Sequence, residues 1–360
     1  MEWQLRVASG EPLPLQQQDL RITGHAIEAR ICAENPDNNF LPATGALNVY
    51  ALPDCVTFER GAVRVDSGVR QGDAISPFYD SMVAKLIVHG DTREQALARL
   101  DEALAQTHIV GLATNVQFLR RVARTDAFAR AKLDTALIPR EQAVLFHQEP
   151  VGLPLAAAAA VAQALLNERT SEGVDPFSRR DGFHTHGVVQ RRFEFEFGGE
   201  HAKALLTYER GGGLHLKVGE GDAAVSGSLV FGAAPQGAIE LQFAGQRTRA
   251  AVYAQGEVDH VFTPLGATQI TAIDLLAHAG EAAAEGGRLT APMPGKVVSF
   301  AVKAGDKVAK GQPLAVMEAM KMEHTIAAPA DGVVQELLYA PGDQVTEGAE
   351  LLKLVAADKA

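Results

Sequence analysis

The most distinctive chemical setting in the sequence is a lysine between two methionines, in the run Glu318-Ala319-Met320-Lys321-Met322. The ordinary interpretation of a lysine in a surface hairpin is a solvated charge. Its ε-amino group is also a nucleophile that can form a covalent amide with an activated carboxyl group. The residues around Lys321 indicate whether it is a solvated charge or an attachment site.

A second candidate is the arginine of a Glu-x-Arg motif, Arg30, in an early β-rich segment. A guanidinium stays charged and hydrogen-bonds to oxyanions, so it suits a site that stabilises negative charge. The alternative is a surface ion pair with Glu28 or Glu34. Tyr79 and Asp80, in a later loop, can serve the same site or simply shape that loop.

The histidines and cysteines do not predict a metal site. His184 and His186 flank one threonine, but no third histidine lies nearby in sequence, which favours a surface strand. The two cysteines, Cys32 and Cys55, are too few for a disulfide framework or a cysteine-based zinc site. We interpret both as small, partly buried hydrophobic residues.

Lys321 lies near the midpoint of an internal repeat with an offset of 37 residues. A fixed offset means that one supersecondary unit is used twice, and each unit here is typical of strand, Gly-Asp turn, strand. We expect two β-halves, related by a pseudo-twofold axis, that close into a small β-barrel with Lys321 at a projecting hairpin tip. The repeated pairs are Ala291-Pro292 with Ala328-Pro329, Gly305-Asp306 with Gly342-Asp343, Val308 with Val345, Gly311 with Gly348, and Leu314 with Leu351.

Length and composition describe a soluble protein of several domains. A chain of 360 residues suggests two or three domains, and 47% hydrophobic with 21% charged residues is typical of globular proteins. The net charge of -11 argues against nucleic acid or an anionic membrane as partner.

The first 150 residues predict short strands and loops followed by helices. A helical run over residues 2–8 has no N-cap ahead of it, as expected of a fragment cut within a helix. An amphipathic helix is predicted after Asp91-Thr92, and a second from Thr114-Asn115 to about Val122.

Residues 151–278 predict an Ala-rich helix and then an antiparallel β-sandwich or barrel. Five consecutive alanines within residues 153–169 require a close neighbour for that helix. Phe193, Phe195 and Phe197 alternate with glutamates, so they are expected in the core of about seven strands. The Ala/Gly/Glu segment that follows, in residues 279–290, is predicted to be a mobile linker.

The C-terminal repeat resembles the biotinyl domain of biotin-dependent carboxylases, through its Ala-Pro-x-x-Gly units and Ala319-Met320-Lys321-Met322. The resemblance implies that Lys321 carries covalent biotin and that biotin protein ligase recognises Ala319, Met320 and Met322. Lipoyl domains are similar in fold but carry Asp-Lys-Ala at the tip, which is absent here. Tethering on a flexible linker would hold biotin at an effective concentration on the order of mM at two separate sites.

The opening region resembles the C-terminal part of a biotin carboxylase domain, through residues 25–34, 79–82 and 111–115. This implies that Arg30 lies in the carboxylation site, near biotin and the anion derived from carboxyphosphate. The family's ATP-grasp region lies upstream of these motifs, and residues 1–150 contain no glycine-rich phosphate loop. ATP, Mg²⁺ and bicarbonate are therefore expected only in the intact subunit, and this chain alone is expected to be inactive.

End to end, the chain resembles the C-terminal half of the α subunit of an acyl-CoA carboxylase. The expected fold is α+β and multidomain. Its parts are the C-terminal part of an ATP-grasp biotin carboxylase domain (1–150), a docking domain of a helix plus antiparallel β-barrel (151–278), the linker (279–290) and a small all-β biotinyl, or hammerhead, domain (291–356).

The resemblance also implies partners and a pathway. They are a carboxyltransferase β subunit that binds the acyl-CoA, and biotin protein ligase, with no nucleic acid and no membrane. Residues 316–326 and 175–178 look most like 3-methylcrotonyl-CoA carboxylases, with geranyl-, propionyl- and acetyl-CoA carboxylases as siblings. This implies leucine breakdown, in a bacterial cytoplasm or a mitochondrial matrix. The alternative is a carrier and interaction module without catalysis of its own.

Overall fold

The computed structural model describes residues 1–180, 182–183, 185–274, 288–291, 294–319, 322–328, 330–346 and 348–356. These residues form an N-terminal α/β region, a closed β-barrel with a helix, and a C-terminal all-β domain. Within the described ranges, no helix has the length and apolar character that a bilayer span requires.

The N-terminal region is built on a three-stranded antiparallel sheet in which β8 lies between β1 and β6. Three two-stranded pairs, β2–β3, β4–β7 and β5–β9, surround it. The strands are β1 (His25–Cys32), β2 (Glu34–Asn35), β3 (Leu41–Pro42), β4 (Gly45–Ala46), β5 (Val49–Ala51), β6 (Val63–Ser67), β7 (Ala74–Ile75), β8 (Met82–Gly90) and β9 (His108–Val110).

Helices cover this sheet where the hydrophobic period changes. The predicted cap of α2 is confirmed, because the Thr92 hydroxyl accepts a hydrogen bond from the backbone N–H of Gln95. Leu100 and Leu104 of α2 are buried in the same cluster as Leu86 of β8. The helices are α1 (Glu2–Ala8), α2 (Arg93–Ala105), α3 (Val116–Arg124), α4 (Asp126–Ala129), α5 (Leu137–Arg140) and α6 (Gln142–Leu145).

The middle region is one helix and a closed antiparallel barrel of eight strands. The sequence predicted about seven, and the strand it missed is β17, whose segment Gly266–Ala272 has Ile270 as its one large apolar residue. The elements are α7 (Leu153–Thr170), β10 (Val189–Phe197), β11 (Glu200–Tyr208), β12 (Leu214–Val218), β13 (Val225–Ala233), β14 (Ile239–Phe243), β15 (Gln246–Gln255), β16 (Val258–Thr263) and β17 (Gly266–Ala272).

Helix α7 is enclosed by the barrel. It packs against β10 and against each strand from β12 to β17. Residues 155–162 of α7 are all buried, and eight consecutive residues go right round a helix, so every side of it meets protein. Alanine is the residue that allows strands to approach from all directions, and the predicted close neighbour is therefore the barrel itself.

The phenylalanines of β10 lie where their alternation predicted. Phe195 is buried, and Phe193 and Phe197 are partly buried against the same cluster. The prediction that they belong to the barrel core is confirmed.

Residues of the N-terminal region contact the barrel directly. The His108 ring stacks on Phe262, with ring centroids 4.4 Å apart, and its Nδ1 lies 3.0 Å from the Tyr253 hydroxyl. The buried Arg120 donates from Nη2 to the carbonyl oxygen of Pro264 at 2.7 Å. Burial at this junction lowers the pKa of His108, which favours a neutral, stacked ring.

The C-terminal domain consists of two four-stranded sheets instead of the predicted closed barrel. The sheets have the orders β18-β25-β23-β20 and β22-β21-β19-β24. Strand β18 lies within the predicted linker 279–290, but its three residues pair with β25 and so belong to this domain. The rest of the predicted linker, residues 279–287, lies outside the described residues. The strands are β18 (Arg288–Thr290), β19 (Gly295–Phe300), β20 (Lys307–Val308), β21 (Pro313–Ala319), β22 (Met322–Ala327), β23 (Gly332–Leu337), β24 (Gln344–Val345) and β25 (Glu350–Ala356).

Reciprocal hydrogen bonds relate the two repeats, as the predicted pseudo-twofold axis requires. The backbone N–H of Gly305 donates to the Val334 carbonyl at 2.7 Å, and that of Gly342 donates to the Val297 carbonyl at the same distance. Each turn glycine thus bonds to the strand of the other repeat, and Val297 and Val334 themselves have an offset of 37.

The two Gly-Asp turns have the same local structure. Asp306 accepts from the backbone N–H of Lys303, and Asp343 accepts from that of Ala340, both at 2.8 Å. Gly305 and Gly342, at the centre of these turns, have φ of 94° and 102°, a region that favours glycine. The repeat therefore preserves turn chemistry as well as core positions.

Candidate functional site

Arg30 lies on β1, on the face that points away from the core. Ile27, Ala29 and Ile31 are buried in the core cluster, while Glu28 and Arg30 alternate with them on the outer face. The Arg30 side chain is 67% exposed, so a ligand can reach its guanidinium.

Two cations share one carboxylate beside this position. The Nε of Arg30 is 3.6 Å from Glu28 Oε1, and the Nζ of Lys85, opposite Arg30 on β8, is 3.7 Å from the same oxygen. The surface ion pair that remained open from the sequence is thus present with Glu28. Exposed pairs of this kind contribute about 0–1 kcal/mol, so the pair leaves Arg30 free to contact an anion.

Glu34, the other possible partner of Arg30, bonds instead to the buried amide of Asn115. Asn115 Nδ2 donates to Glu34 Oε1 at 3.0 Å and to the Arg30 carbonyl oxygen at 3.1 Å. Asn115 Oδ1 accepts from the backbone N–H of Cys32 at 2.9 Å. One side chain therefore holds three residues at the end of β1.

Burial dominates the electrostatics at this strand end. It raises the pKa of the Glu34 carboxyl, against the opposing effect of the Asn115 hydrogen bond. It also raises the pKa of the Cys32 thiol to about 11, with the nearby Glu34 carboxylate adding to the rise. Cys32 is therefore a protonated, unreactive thiol at neutral pH, as its interpretation as a small hydrophobic residue requires.

Cys55 differs from the expectation, because it is exposed and not partly buried. Both cysteines are free thiols. Cys55 follows the turn residue Asp54 in a segment whose backbone pairs only at the isolated bridge of Val56 with Arg64, so no core forms around it.

The loop before β8 is shaped by Asp80. Its Oδ1 accepts from the backbone N–H of Met82 at 2.9 Å, and the Tyr79 ring is largely exposed. This contact supports the loop-structuring alternative for Asp80. The carboxylate is also close enough to contribute to the raised pKa values of Glu34 and Cys32.

The predicted attachment lysine falls between two paired strands. Strands β21 and β22 are antiparallel, and their last pair joins Ala319 to Met322. Met320 and Lys321 lie outside the described residues, and only the backbone of Ala319 and Met322 is described. A two-residue separation between paired strands is the shortest common hairpin connection.

No group of three metal-ligating side chains occurs among the residues that the structure describes. His184 lies outside the described residues, so the structure does not test whether His184 and His186 lie close together.

Sequence reasoning missed two residues near Arg30. Lys85 carried a usable signal, because it is the one charge in the apolar run of β8 and so has to face outward. Asn115 belongs to the 111–115 motif, but the motif does not reveal its contacts with β1, since an asparagine before a helix is expected simply to cap it.

Comparisons with known families match the three regions in order. Residues 28–140 match the biotin carboxylase C-terminal domain, and residues 152–275 match the BT domain of the methylcrotonyl-CoA carboxylase α subunit. Residues 287–354 match the biotin-requiring enzyme family. Together with the barrel, the repeat and the hairpin, these matches define a multidomain protein of the biotin-dependent carboxylase class.

Individual relatives narrow this class. The chain is 34% identical over 376 residues to the mitochondrial methylcrotonoyl-CoA carboxylase subunit alpha of Dictyostelium discoideum, covering 99% of this chain and 52% of that protein. The Mus musculus protein of the same name is 33% identical, with 98% and 50% covered. The mitochondrial propionyl-CoA carboxylase alpha chain of Caenorhabditis elegans is 32% identical, with 90% and 47% covered.

Over almost its whole length the chain is similar to the α subunits of biotin-dependent acyl-CoA carboxylases, and it spans about half the length of the curated relatives it matches. A solved biotin carboxylase domain of a thermophilic 2-oxoglutarate carboxylase, bound to bicarbonate, is 33% identical. That match covers 41% of this chain and 32% of the other, with a TM-score of 0.38. The assignment rests on the sequence matches and not on this superposition.

Proposed function

We propose that this chain is the biotin-bearing part of an acyl-CoA carboxylase α subunit, with biotin attached to Lys321. The observation that carries the proposal is the placement of Met320-Lys321 between the paired Ala319 and Met322, in a twofold-repeat domain that matches biotin-requiring enzymes. The solvated-charge interpretation of Lys321 does not account for this combination.

The hairpin fits a covalently attached biotin. Met317, near the end of β21, is buried with Val297 and Leu351, so the strand leading to the lysine is anchored in the core. A rigid strand pair with a two-residue connection suits an amine that another enzyme must reach. Bound biotin supplies a ureido nitrogen that accepts a carboxyl group and later releases it.

We propose that biotin protein ligase recognises Ala319, Met320 and Met322 around that amine. Methionine is flexible and polarizable, which suits a contact with an enzyme surface. The support is the sequence of the motif and its position at the end of a ladder.

We propose that Arg30 acts in the carboxylation site. Its exposed guanidinium, Lys85 and Arg64 give this face three cations against the two carboxylates of Glu28 and Asp66. Such a face stabilises an oxyanion, either on the ureido oxygen or on a carboxyphosphate-derived ligand. ATP, Mg²⁺ and bicarbonate belong to the site of the intact subunit.

The barrel region is proposed to dock onto the carboxyltransferase β subunit. The segment between α7 and β10 exposes Val174, Phe177 and Phe183 almost completely, which is unusual for large apolar side chains outside an interface. The acyl-CoA would bind to the β subunit.

The substrate we propose is 3-methylcrotonyl-CoA, carboxylated to 3-methylglutaconyl-CoA in leucine degradation. Support comes from the match of residues 152–275 and from the names of the relatives. Propionyl-CoA carboxylase also appears among the relatives, and geranyl- and acetyl-CoA remain alternatives. The proposed location is the bacterial cytoplasm or the mitochondrial matrix.

A second candidate is a carrier and interaction module without catalysis of its own. It would need only the two regions that match the BT domain and the biotin-requiring enzyme family, residues 152–275 and 287–354.

The test compares the four acyl-CoAs in the complex of the intact α subunit with the β subunit. We expect ATP- and bicarbonate-dependent carboxylation with the highest kcat/KM for 3-methylcrotonyl-CoA. Arg30→Met should lower carboxylation at least about 100-fold while biotin loading stays complete, because it removes a charge-stabilising donor. A biotin-loaded complex that carboxylates none of the four would favour the carrier module.

A further inference from the structure

We infer that Asn115 is a positioning residue, which fixes the backbone of Arg30 and thereby aims its guanidinium. The inference rests on the proposed role of Arg30 in carboxylation. Asn115 is 5% exposed and does not itself reach the open face of the sheet, so its effect passes through β1.

Asn115 occupies a helix N-cap without capping the helix. It precedes α3 with φ of −84° and ψ of 8°, and its side chain makes no capping hydrogen bond. The caps of the neighbouring helices behave conventionally, since Thr92 and Thr125 accept from the backbone N–H groups of Gln95 and Phe128. The Asn115 amide therefore serves a different element at the expense of α3.

That element is the free edge of β1. Strand β1 lies at the edge of its sheet, so the backbone groups that Arg30 and Cys32 direct away from β8 have no strand to pair with. Asn115 supplies these partners. Its side chain bonds to the Arg30 carbonyl and the Cys32 N–H, and its own N–H donates to the Cys32 carbonyl at 3.2 Å.

We call these bonds from Asn115 to Arg30 and Cys32 the Asn115 clamp. The clamp lies where the sheet is least regular. The register between β1 and β8 shifts between Ile31 and Cys32, so the ladder alone does not fix the residues around this point. A fourth bond, from Asn115 Nδ2 to Glu34 Oε1, extends these contacts past the irregularity. Residues 30 to 34 are thus held as one unit.

Arg30 needs such support because its own side chain is held weakly. Its ion pair with Glu28 is 3.6 Å long and exposed to solvent. A charge-stabilising group acts only when it is aimed correctly, and a displacement of 1 Å can cost about 100-fold in rate. The buried amide supplies through the backbone the precision that the side-chain contact does not.

The test uses Asn115→Asp in the complex of the intact α subunit with the β subunit. This variant keeps the size and the acceptor for Cys32, loses both donated bonds and places a carboxylate against Glu34. We expect kcat for biotin carboxylation to fall about 10-fold with KM for ATP and bicarbonate nearly unchanged. We also expect faster amide exchange at Cys32. Adding Glu34→Gln restores a donor between the two side chains and should recover part of the loss.

Thr125→Ala is the matched control, since it removes a buried helix cap in the same domain without touching β1. It should lower Tm and leave kcat unchanged. The positioning role is overturned if folded Asn115→Asp keeps full kcat while Arg30→Met loses it, or if kcat merely follows Tm in both Asn115→Asp and Thr125→Ala. If Asn115→Asp does not fold, Asn115→Ser is judged by the same criteria. If Arg30→Met itself keeps full activity, the proposed role of Arg30 fails first, and the inference about Asn115 falls with it.

Discussion

The barrel and the biotinyl domain are both antiparallel β-structures, but they fill their interiors differently. The barrel closes round α7, whose residues 155–162 are buried on every side. The biotinyl domain is filled by its own strands, and repeat-related residues such as Leu314 and Leu351 occupy two separate small clusters. The interior of the barrel can therefore accept only as much side-chain volume as its central helix leaves. The interior of the biotinyl domain depends on equivalent buried residues in its two halves.

This difference suits the two proposed tasks. The barrel is joined to the N-terminal region through His108, Arg120 and their partners, which favours a fixed frame for docking. The biotinyl domain has its own clusters and reciprocal turn bonds, so it can keep its fold as a separate body. A cofactor that visits two sites needs a carrier of the second kind.

The largest predicted effect tests the equivalence of the repeats. Leu314→Ala and Leu351→Ala each remove a fully buried side chain at the same place in the repeat, so both should destabilise the domain by about 2–5 kcal/mol. Amide hydrogen exchange of β21 and β25 would measure both free energies. If one variant unfolds the domain and the other is tolerated, the halves are not equivalent.

A smaller effect is expected for added volume in the barrel. Ala159→Leu inserts three carbons into a helix with no free side and should cost about 1–3 kcal/mol. Ala164→Leu, at a partly exposed position of α7, is the matched control and should cost less. Urea denaturation followed through barrel amides would compare them. Equal costs would mean that the barrel does not confine the helix as tightly as its burial indicates.

The comparison also shows what sequence can reveal. The repeat could be predicted because identical turns recur at a fixed offset. Gly305 and Gly342 have the same positive-φ turn conformation in both halves. The burial of Phe193, Phe195 and Phe197 could be predicted because strict alternation of apolar and polar residues indicates a strand with one buried face. In the structure, the same alternation puts Arg30 on the outward face of β1.

Other features depend on contacts distant in sequence. Enclosure of α7 requires eight strands to close around it, and an Ala-rich segment predicts only a close neighbour. The separation of the biotinyl domain into two sheets depends on which strands pair, which turn chemistry leaves undetermined. The Asn115 clamp joins residues more than eighty positions apart, so no local pattern could reveal it.

The third prediction concerns pH and one acidic residue of the barrel. Asp259 lies on the same face of β16 as the buried Val261, between Ala254 and Ile270 of the adjacent strands. Burial raises the pKa of its carboxyl to about 6. The folded state then binds the proton more tightly than the unfolded state, so this group makes the barrel less stable as pH rises from about 4 to about 6.

Asp259→Asn removes this penalty, and the variant should gain stability relative to the parent above pH 6 and little near pH 4. Urea denaturation at several pH values would measure the difference. If the difference in unfolding free energy between variant and parent stayed constant across this pH range, the pKa of the Asp259 carboxyl would not be raised in the folded state.

The central claim is that the biotinyl domain carries biotin on Lys321. The most direct measurement is peptide mapping by mass spectrometry after incubation of the chain with biotin protein ligase, biotin and ATP, with Lys321→Arg alongside. We expect one biotinyl group, on Lys321, and none on the variant, because arginine offers no nucleophilic amine that could attack the activated carboxyl group of biotin. The melting temperature of the variant should match that of the parent, because arginine keeps the charge. Biotin on another lysine, or a labelled Lys321→Arg protein, would contradict the account.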